Sequence, residues 1–336
     1  MTLPRTMTAI VADTPGGPEM LRAATVPIPS PGPGEVLIRV AAAGVNYPDI
    51  AQRRGDYPPP EGHSPILGLE VAGQIVGPAG DWREGDKVVA LTNGGAYAEY
   101  VAVPAGQVLP APDGWSLADA AALPETWFTI TQTLVMRAGL SAGMTVLVTG
   151  AAGGLGGAAI QIARIVGAEP IALVGSADKA DYVRGLGAQS VIRHDTEDVV
   201  ARTRALTGGR GADRILDMLG GAATARHIEA AAPFGHIVQV ATLAGRDASL
   251  PLNRMVGKQL TLSGSTLRHQ STETKATIAA HLRAQIWPAL ADPSLPRPKI
   301  RRFALAQAAE AHHAAEERGH YGKIILVADA TAPAGA

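Results

Sequence analysis

No cysteine occurs in the 336 residues, which excludes disulfides, thiolate zinc sites and cysteine nucleophiles together and fits a reducing compartment. No run of about 18 apolar residues occurs either, so no membrane span is expected. The opening residues, MTLPRTMTAIVAD, lack the long apolar core and cleavage site of a secretory leader. A cytoplasmic location is the expectation. An excess of one charge is also missing, since 29 Lys and Arg against 30 Asp and Glu leave a formal net charge of −1. Phosphate backbones need clustered basic residues, so nucleic acid is not expected as the main ligand. The pairs Arg53-Arg54 and Arg301-Arg302 read as solvated surface. There is no G-x-S-x-G elbow and no H-E-x-x-H, which removes common hydrolase and metalloprotease patterns. His312-His313 reads as an adjacent pair on a polar helix face, and the residues from Thr331 to Ala336 read as a frayed tail.

What is present describes a globular protein: 46% hydrophobic and 18% charged residues in a chain long enough for two domains. Its organising stretch is Met144 to Gly167, MTVLVTGAAGGLGGAAIQIARIVG. Val146, Leu147 and Val148 form the short apolar run of a strand buried on both faces. Leu155, Ala159, Ile162, Ala163 and Val166 then recur at helical spacing. Between them Ala151, Gly153 and Gly156 hold the three positions of a G-x-G-x-x-G pattern, with Gly154 and Gly157 thinning the surface further. Bare backbone at such a turn can approach a pyrophosphate, and the helix dipole faces it. A second strand at Pro170 to Val174 lies where a βαβ unit needs it.

In chain order, Ala9 to about Val103 shows short alternating runs punctuated by Gly and Pro, and a β-rich, barrel-like domain is expected there. Ser116 and Asp119 in S-L-A-D form a capping-box-like helix start. Pro124 opens a further helix carrying Trp127, Phe128, Ile130, Leu134 and Val135, taken as the bridge to the second domain. Strands follow at Ile171–Val174, Val191–Ile192, Ile215–Asp217, Ile237–Val240 and Leu260–Leu262. The helical segments between them, Ala222 to Ala232 among them, supply the crossovers of a doubly wound parallel sheet. A long helix from Thr272 to Leu290, a helix at Leu305 to Glu317 and a strand at Lys323 to Val327 are expected to return to the first domain.

The stretches GVNYPDIAQRRGDYPPP, ILGLEVAG, GDKVVAL, GGAYAEY, AALPETWFT, AAGGLG, LGAQSVI, ILDMLGG and GSTLR, in this order, resemble zinc-independent quinone oxidoreductases of the medium-chain dehydrogenase/reductase superfamily, the zeta-crystallin-like group. The resemblance implies an α/β protein with a discontinuous GroES-like β-barrel catalytic domain (1–126 and 268–336) and a Rossmann dinucleotide-binding domain (127–267). Substrate and nicotinamide would meet between them, in a homodimer. Zinc-using relatives place a cysteine where this chain has Asn46 and a histidine where it has Leu69, so no metal is expected.

In NAD-preferring Rossmann folds an acidic residue about 20 positions past the glycine turn grips the ribose 2′-hydroxyl. Here that position is Gly175, so no carboxylate at that point repels a 2′-phosphate, and NADPH is the expected cofactor. Ser176 and Lys179 could contact the phosphate, or Ser176 could cap the helix and Lys179 be solvated. His194 falls where relatives carry a tyrosine beside the adenosine phosphate. The turn residues Ala151, Gly153, Gly154, Leu155 and Gly156 would hold the pyrophosphate. Val240, Ala241 and Thr242, ending a strand, would meet the nicotinamide carboxamide. Thr129, Arg268 and Lys323 match cofactor-proximal positions of the family, though Thr129 could be a packing threonine and either basic residue a surface charge.

Hydride transfer needs no protein nucleophile. Asn46 and Tyr57 are the candidate catalytic residues, able to donate hydrogen bonds to a carbonyl oxygen that gains charge as hydride arrives. Asn46 could instead be a turn residue before Pro48, and Tyr57 an exposed loop aromatic. Glu70, next to the vacated metal position, is expected to pair with a basic residue and support the site. Tyr47 and Trp127 could line an apolar slot or belong to the core. Reduction of a quinone, reduction of an α,β-unsaturated ketone or aldehyde, and NADPH binding without turnover as an interaction protein all fit these residues.

Overall fold

The computed structural model describes residues 3–317 and 319–328; the tail expected at 331–336 lies outside them. The chain forms two compact units, one comprising residues 1–128, 268–291 and 299–336, the other 129–267 and 292–298.

The first unit is built on strands β1 (Thr6–Ala12), β2 (Leu21–Pro27), β3 (Glu35–Val45), β4 (Glu70–Val76), β5 (Lys87–Leu91), β6 (Tyr100–Pro104) and β7 (Val108–Pro110). Helix α1 (Tyr47–Arg54) interrupts them, α2 (Leu117–Ala120) follows β7, and α3 (Pro124–Ile130) leads out of the unit. β3 is long because its alternate residues stay apolar for eleven positions, and it serves three neighbours. β4 pairs along one edge, while the other edge is divided between β6 at Glu35–Arg39 and β15 (Lys323–Val327) at Ala42–Val45. The resulting sheet runs β14 (Ile300–Ala304), β15, β3, β4, β5, β7. Val36, Ile38, Val71, Val88, Tyr97 and Leu326 fill its interior with almost no exposed area. This is the GroES-like fold expected for the β-rich part of the chain.

The second unit is an open sheet of six parallel strands, β8 (Thr145–Val148), β9 (Glu169–Val174), β10 (Ser190–Arg193), β11 (Ala212–Asp217), β12 (Ala231–Gln239) and β13 (Thr261–Gly264). Their spatial order, β10-β9-β8-β11-β12-β13, reverses between β8 and β11 and is the doubly wound dinucleotide-binding order. Helices α4 (Gly154–Ile165), α5 (Ala177–Gly185), α6 (Val199–Leu206), α7 (Gly221–Ala230) and α8 (Leu252–Lys258) provide the crossovers. β12 begins well before the strand read at Ile237. Its early part is irregular, with a register shift against β11 and Phe234 at φ 61°, which hides it from an alternation pattern.

Two helices differ from their sequence reading in a common way. After Ile130 the bridging helix continues with π-type bonding over Thr131–Arg137, where the Thr133 hydroxyl donates back to the Thr129 carbonyl at 2.7 Å. The stretch read as one helix from Thr272 is α9 (Thr272–His281), then π-helical Leu282–Ile286, then 3₁₀-helical Trp287–Ala291. Pro288, lacking an N–H, cannot extend an α-helical ladder. Between β14 and β15 lies α10 (Ala308–Glu316).

Candidate active site and cofactor cradle

The glycine turn leaves β8 and enters α4 with Gly153 as N-cap residue. Each small residue has a distinct task. Gly150, at φ 57°, makes the tight turn, and Ala151 is wholly buried with its N–H bonded to the Leu173 carbonyl. A Cβ on Gly156 would lie 2.5 Å from Ala151 Cα, so only glycine lets α4 pack this close to the turn. At Gly153 a Cβ would meet nothing nearer than 3.5 Å, and Gly153, Gly154 and Leu155 are half-exposed. Backbone is thus accessible at the N-terminus of a 12-residue helix, an arrangement that fits a pyrophosphate.

Beside it, at the reversal of strand order, Asp217 ends β11 fully buried. Its carboxylate accepts from the N–H groups of Leu219 and Gly220, from the Thr224 hydroxyl at 2.9 Å and from His227 Nδ1 at 2.8 Å. Burial alone would raise its pKa, but His227 and these N–H groups outweigh it and hold the carboxyl down at about 2. The loop it anchors is joined to the next one: Val240 N–H bonds to Asp217 O, Leu243 N–H to Met218 O and Ala244 N–H to Leu219 O. Val240, Ala241 and Thr242 are therefore held at the carboxyl end of the sheet, Thr242 exposed.

At the end of β9, Gly175 is exposed, and the space above it is filled by an imidazole: a Cβ there would lie 2.8 Å from His194 Nε2. Ser176 is the N-cap residue of α5, yet its hydroxyl does not cap; it donates to the Asp178 carboxylate, whose pKa that bond lowers. The carboxylate missing at 175 is thus present three residues later. Lys179, half-exposed, follows it.

In the first unit the candidate catalytic residues stand on a buried polar network. Asn46 is the N-cap residue of α1, but its side chain makes no capping bond. Its Oδ1 accepts from Lys323 Nζ and its Nδ2 donates to Glu70 Oε1, both at 2.8 Å. An ammonium can only donate and a carboxylate only accept, so the amide is fixed in one orientation, with one Nδ2–H committed and a second remaining. Glu70 and Lys323 form an ion pair that is almost fully buried. Pairing with a basic residue was the expected role of Glu70.

The second oxygen of Glu70 accepts from the Glu125 N–H at 2.9 Å. Asp49, three residues after Asn46, accepts from Asn46 N and Gly68 N. Burial, only partly offset by these bonds, pushes Asp49 up to about 6. Glu125 goes further, to about 8, through burial and then the charges of Glu70 and Asp49. Tyr57 OH lies 3.2 Å from His269 Nδ1, and the Arg268 guanidinium lies 5.4 Å from the Tyr57 ring centroid.

Several expectations need correction. Neither Arg268 nor Lys323 is a surface charge, and both bond within the first unit. Arg268 is 5% exposed and bonds to Asn93 O, Gln52 Oε1 and Tyr57 O, while Lys323 is taken up by Glu70 and Asn46. Trp127 is core, 2% exposed and edge-on to Trp287, while Tyr47 is 55% exposed. Arg53 and His312 are not surface groups. Arg53 is buried, donates to Glu316 and to His312 Nδ1, and His312 Nε2 meets Tyr97 OH at 3.0 Å. Burial and the neighbouring guanidinium hold the His312 pKa down at about 3, so the ring is neutral. Thr129 is partly exposed.

Sequence reasoning passed over Asp49, Asn93, Glu125 and Lys275. Lys275 is 1% exposed and donates to Asn93 Oδ1 and Arg268 O. Among the described residues no three of His, Cys, Asp and Glu come together as metal ligands. The amide of Asn46 and the alkyl side chain of Leu69 are not the donor set of a zinc site.

The strand order and the glycine turn together are those of the nucleotide-binding dehydrogenase fold. Residues 32–113 match the alcohol dehydrogenase GroES-like domain and residues 154–282 the zinc-binding dehydrogenase domain. A solved NAD-dependent alcohol dehydrogenase is 32% identical, with a TM-score of 0.80 over 96% of this chain and 100% of its own. A quinone oxidoreductase of Pseudomonas syringae pv. tomato is 29% identical, with a TM-score of 0.81 over 96% and 100%. The mycocerosic acid synthase-like polyketide synthase of Mycobacterium tuberculosis is 30% identical over 93% of this chain, which spans 15% of that protein's length. The chain belongs to the medium-chain dehydrogenase/reductase superfamily. No helix among the described residues is long and apolar enough to cross a membrane.

Proposed function

We propose that the chain is an NADPH-dependent, metal-independent reductase of quinones. The observation that carries this reading is the fixed Asn46 amide, which keeps one N–H for a ligand oxygen in a site whose metal-ligand positions hold an amide and a leucine. The reduced nicotinamide, when bound, supplies the hydride. Gly153 to Gly156 would cradle the pyrophosphate, with Val240, Ala241, Thr242 and Thr129 toward the nicotinamide. Asn46 would donate to the acceptor oxygen as charge gathers there, a preorganised contact because Glu70 and Lys323 already fix the amide. Tyr57, steadied by Arg268 and His269, would supply a second donor.

The phosphate preference rests on Lys179 and on the imidazole of His194 over Gly175, both able to face an anionic 2′-group. Asp178 opposes it, reduced in reach by its bond from Ser176. The same residues serve an α,β-unsaturated ketone or aldehyde, and the quinone oxidoreductase of similar fold favours the quinone. Steady-state oxidation of NADPH and of NADH with a panel of quinones and enones tests all of this. Preference for NADH removes the nucleotide assignment, and tight NADPH binding without any acceptor makes the chain a binding module. The reading includes a cytoplasmic homodimer, supported by the absence of cysteine and by β13. That strand has one neighbour in the sheet and lies close in sequence to Leu252 and Val256, 65% and 77% exposed. Light scattering on the purified chain tests the dimer.

A further inference from the structure

Glu70 ties two things together with its two oxygens. Oε1 holds the Asn46 amide and the Lys323 ammonium, and Oε2 holds the first turn of α3 through the Glu125 N–H. Asn46 and Glu125 are therefore neighbours across a single carboxylate. Their side chains differ in how they are used. Asn46 is saturated except for one N–H, whereas the Glu125 carboxyl makes no hydrogen bond and no ion pair with any described residue. It is mostly buried but keeps some exposed surface, while Pro124, Thr126, Trp127 and Phe128 around it are buried. A carboxyl left without a protein partner, on a residue whose backbone shares one carboxylate with a fixed hydrogen-bond donor, is available to a ligand.

We propose that Glu125 is the proton donor of the reduction, a role that rests on the reductase reading above. As hydride adds to the acceptor carbon, the electron pair it displaces moves to the acceptor oxygen. That oxygen, held by Asn46, takes the proton from the Glu125 carboxyl, whose O–H bond breaks and leaves a carboxylate. Water reprotonates it through its exposed side, so one hydride and one solvent proton enter per two-electron turnover.

The surroundings keep the acid charged with its proton. The groups facing it are the carboxylates of Glu70 and Asp49 and the ammonium groups of Lys323 and Lys275. Glu70 is matched by Lys323, and Lys275 is turned to Asn93 and Arg268. Burial and the two carboxylates then outweigh the cations and raise the Glu125 pKa to about 8, the range in which a general acid is protonated yet labile at neutral pH. Tyr57 would serve as a hydrogen-bond donor to the acceptor.

The test uses the full chain with NADPH and a para-quinone or enone over pH 6–10. The wild-type kcat/KM is expected to fall above about pH 8. Glu125→Gln, which keeps size and polarity without a transferable proton, is expected to be about 100-fold slower at pH 7 and to lose that inflection, with NADPH affinity within twofold. Glu125→Asp should restore part of the rate and the inflection. Lys275 is the rival source of an inflection, because burial lowers its pKa to about 8; Lys275→Met should retain it. Carboxyl ¹³C NMR of the unliganded chain gives a readout apart from turnover: one glutamate resonance should titrate near pH 8 and be missing in Glu125→Gln. Undiminished rate and pH profile in Glu125→Gln, or titration of that resonance near 4.5, overturns the assignment alone. A wild-type chain that reduces no acceptor overturns the reductase reading, and the assignment with it.

Discussion

Replacing Lys323 by methionine isolates what the ion pair under Asn46 does. In the native chain Glu70 is fully buried and Lys323 is 4% exposed, so neither charge is solvated and each depends on the other. Methionine preserves the alkyl volume but leaves Glu70 with the Asn46 and Glu125 N–H groups and no cation. Removing one partner of a buried pair costs about 3–5 kcal/mol, mostly from the uncompensated charge. At about 2–4 °C per kcal/mol for a unit of this size, the thermal transition of the barrel unit should fall by roughly 6–20 °C. The amide of Asn46 would also lose the donor that fixes its Oδ1, so its orientation is no longer imposed and kcat should fall with it. Calorimetry resolves the transition, and turnover at a temperature where the variant is folded resolves the second effect. The double variant Glu70→Gln with Lys323→Met removes both charges and should recover more than half of the lost stability. A Lys323→Met chain that melts within 1 °C of wild type at unchanged kcat would show that the pair neither stabilises the unit nor orients the amide.

Three further outcomes are expected. Lys179→Ala should weaken NADPH roughly tenfold, the scale of one charged hydrogen bond, and NADH less than twofold, measured by nucleotide fluorescence titration. Tyr57→Phe should lower kcat about tenfold while NADPH affinity stays unchanged. Asp217 has a folded pKa of about 2, below its unfolded value near 3.9, so it contributes stability above pH 4 that is lost as the pH falls from about 4 to 2. That loss is roughly 2–3 kcal/mol at full protonation. Urea denaturation at pH 7 and pH 3 should show it, and Asp217→Asn should narrow the difference.

The parallel sheet was legible because strands buried on both faces carry uninterrupted apolar runs, such as Val146–Val148 and Ile171–Val174, that no surface element shares. The glycine turn was legible for a related reason, since Gly156 touches Ala151 and no side chain fits there. Asn46, Tyr57 and Glu70 were reachable through chemistry and resemblance. The network behind them was not, because its pairs are distant in sequence: Lys275 meets Asn93 across 182 positions and Lys323 meets Glu70 across 253. Local pattern makes both lysines ordinary solvated residues, and Arg53 and His312 were misread on the same ground. Asp49 alone left a local signal. An acid three residues after an N-cap asparagine is the return half of a capping box, and here it takes the Asn46 N–H. Helix ends failed where side chains or proline disturb the ladder, as at Thr133 and Pro288, since periodicity does not report hydrogen-bond type.

The division of one edge of β3 between β6 and β15 has a consequence for the order of events on the ribosome. β3, β4 and β6 lie within about seventy residues of one another and can pair early, with Glu70 at the start of β4. The lysine that matches its charge is borne by β15, more than two hundred residues later, and the whole nucleotide-binding unit is synthesised in between. Until residues 323–327 dock, Glu70 lacks the ammonium that it pairs with in the folded chain. The last segment to join the sheet is therefore the one that sets the geometry around Asn46, which makes a competent site a report that this late strand has docked.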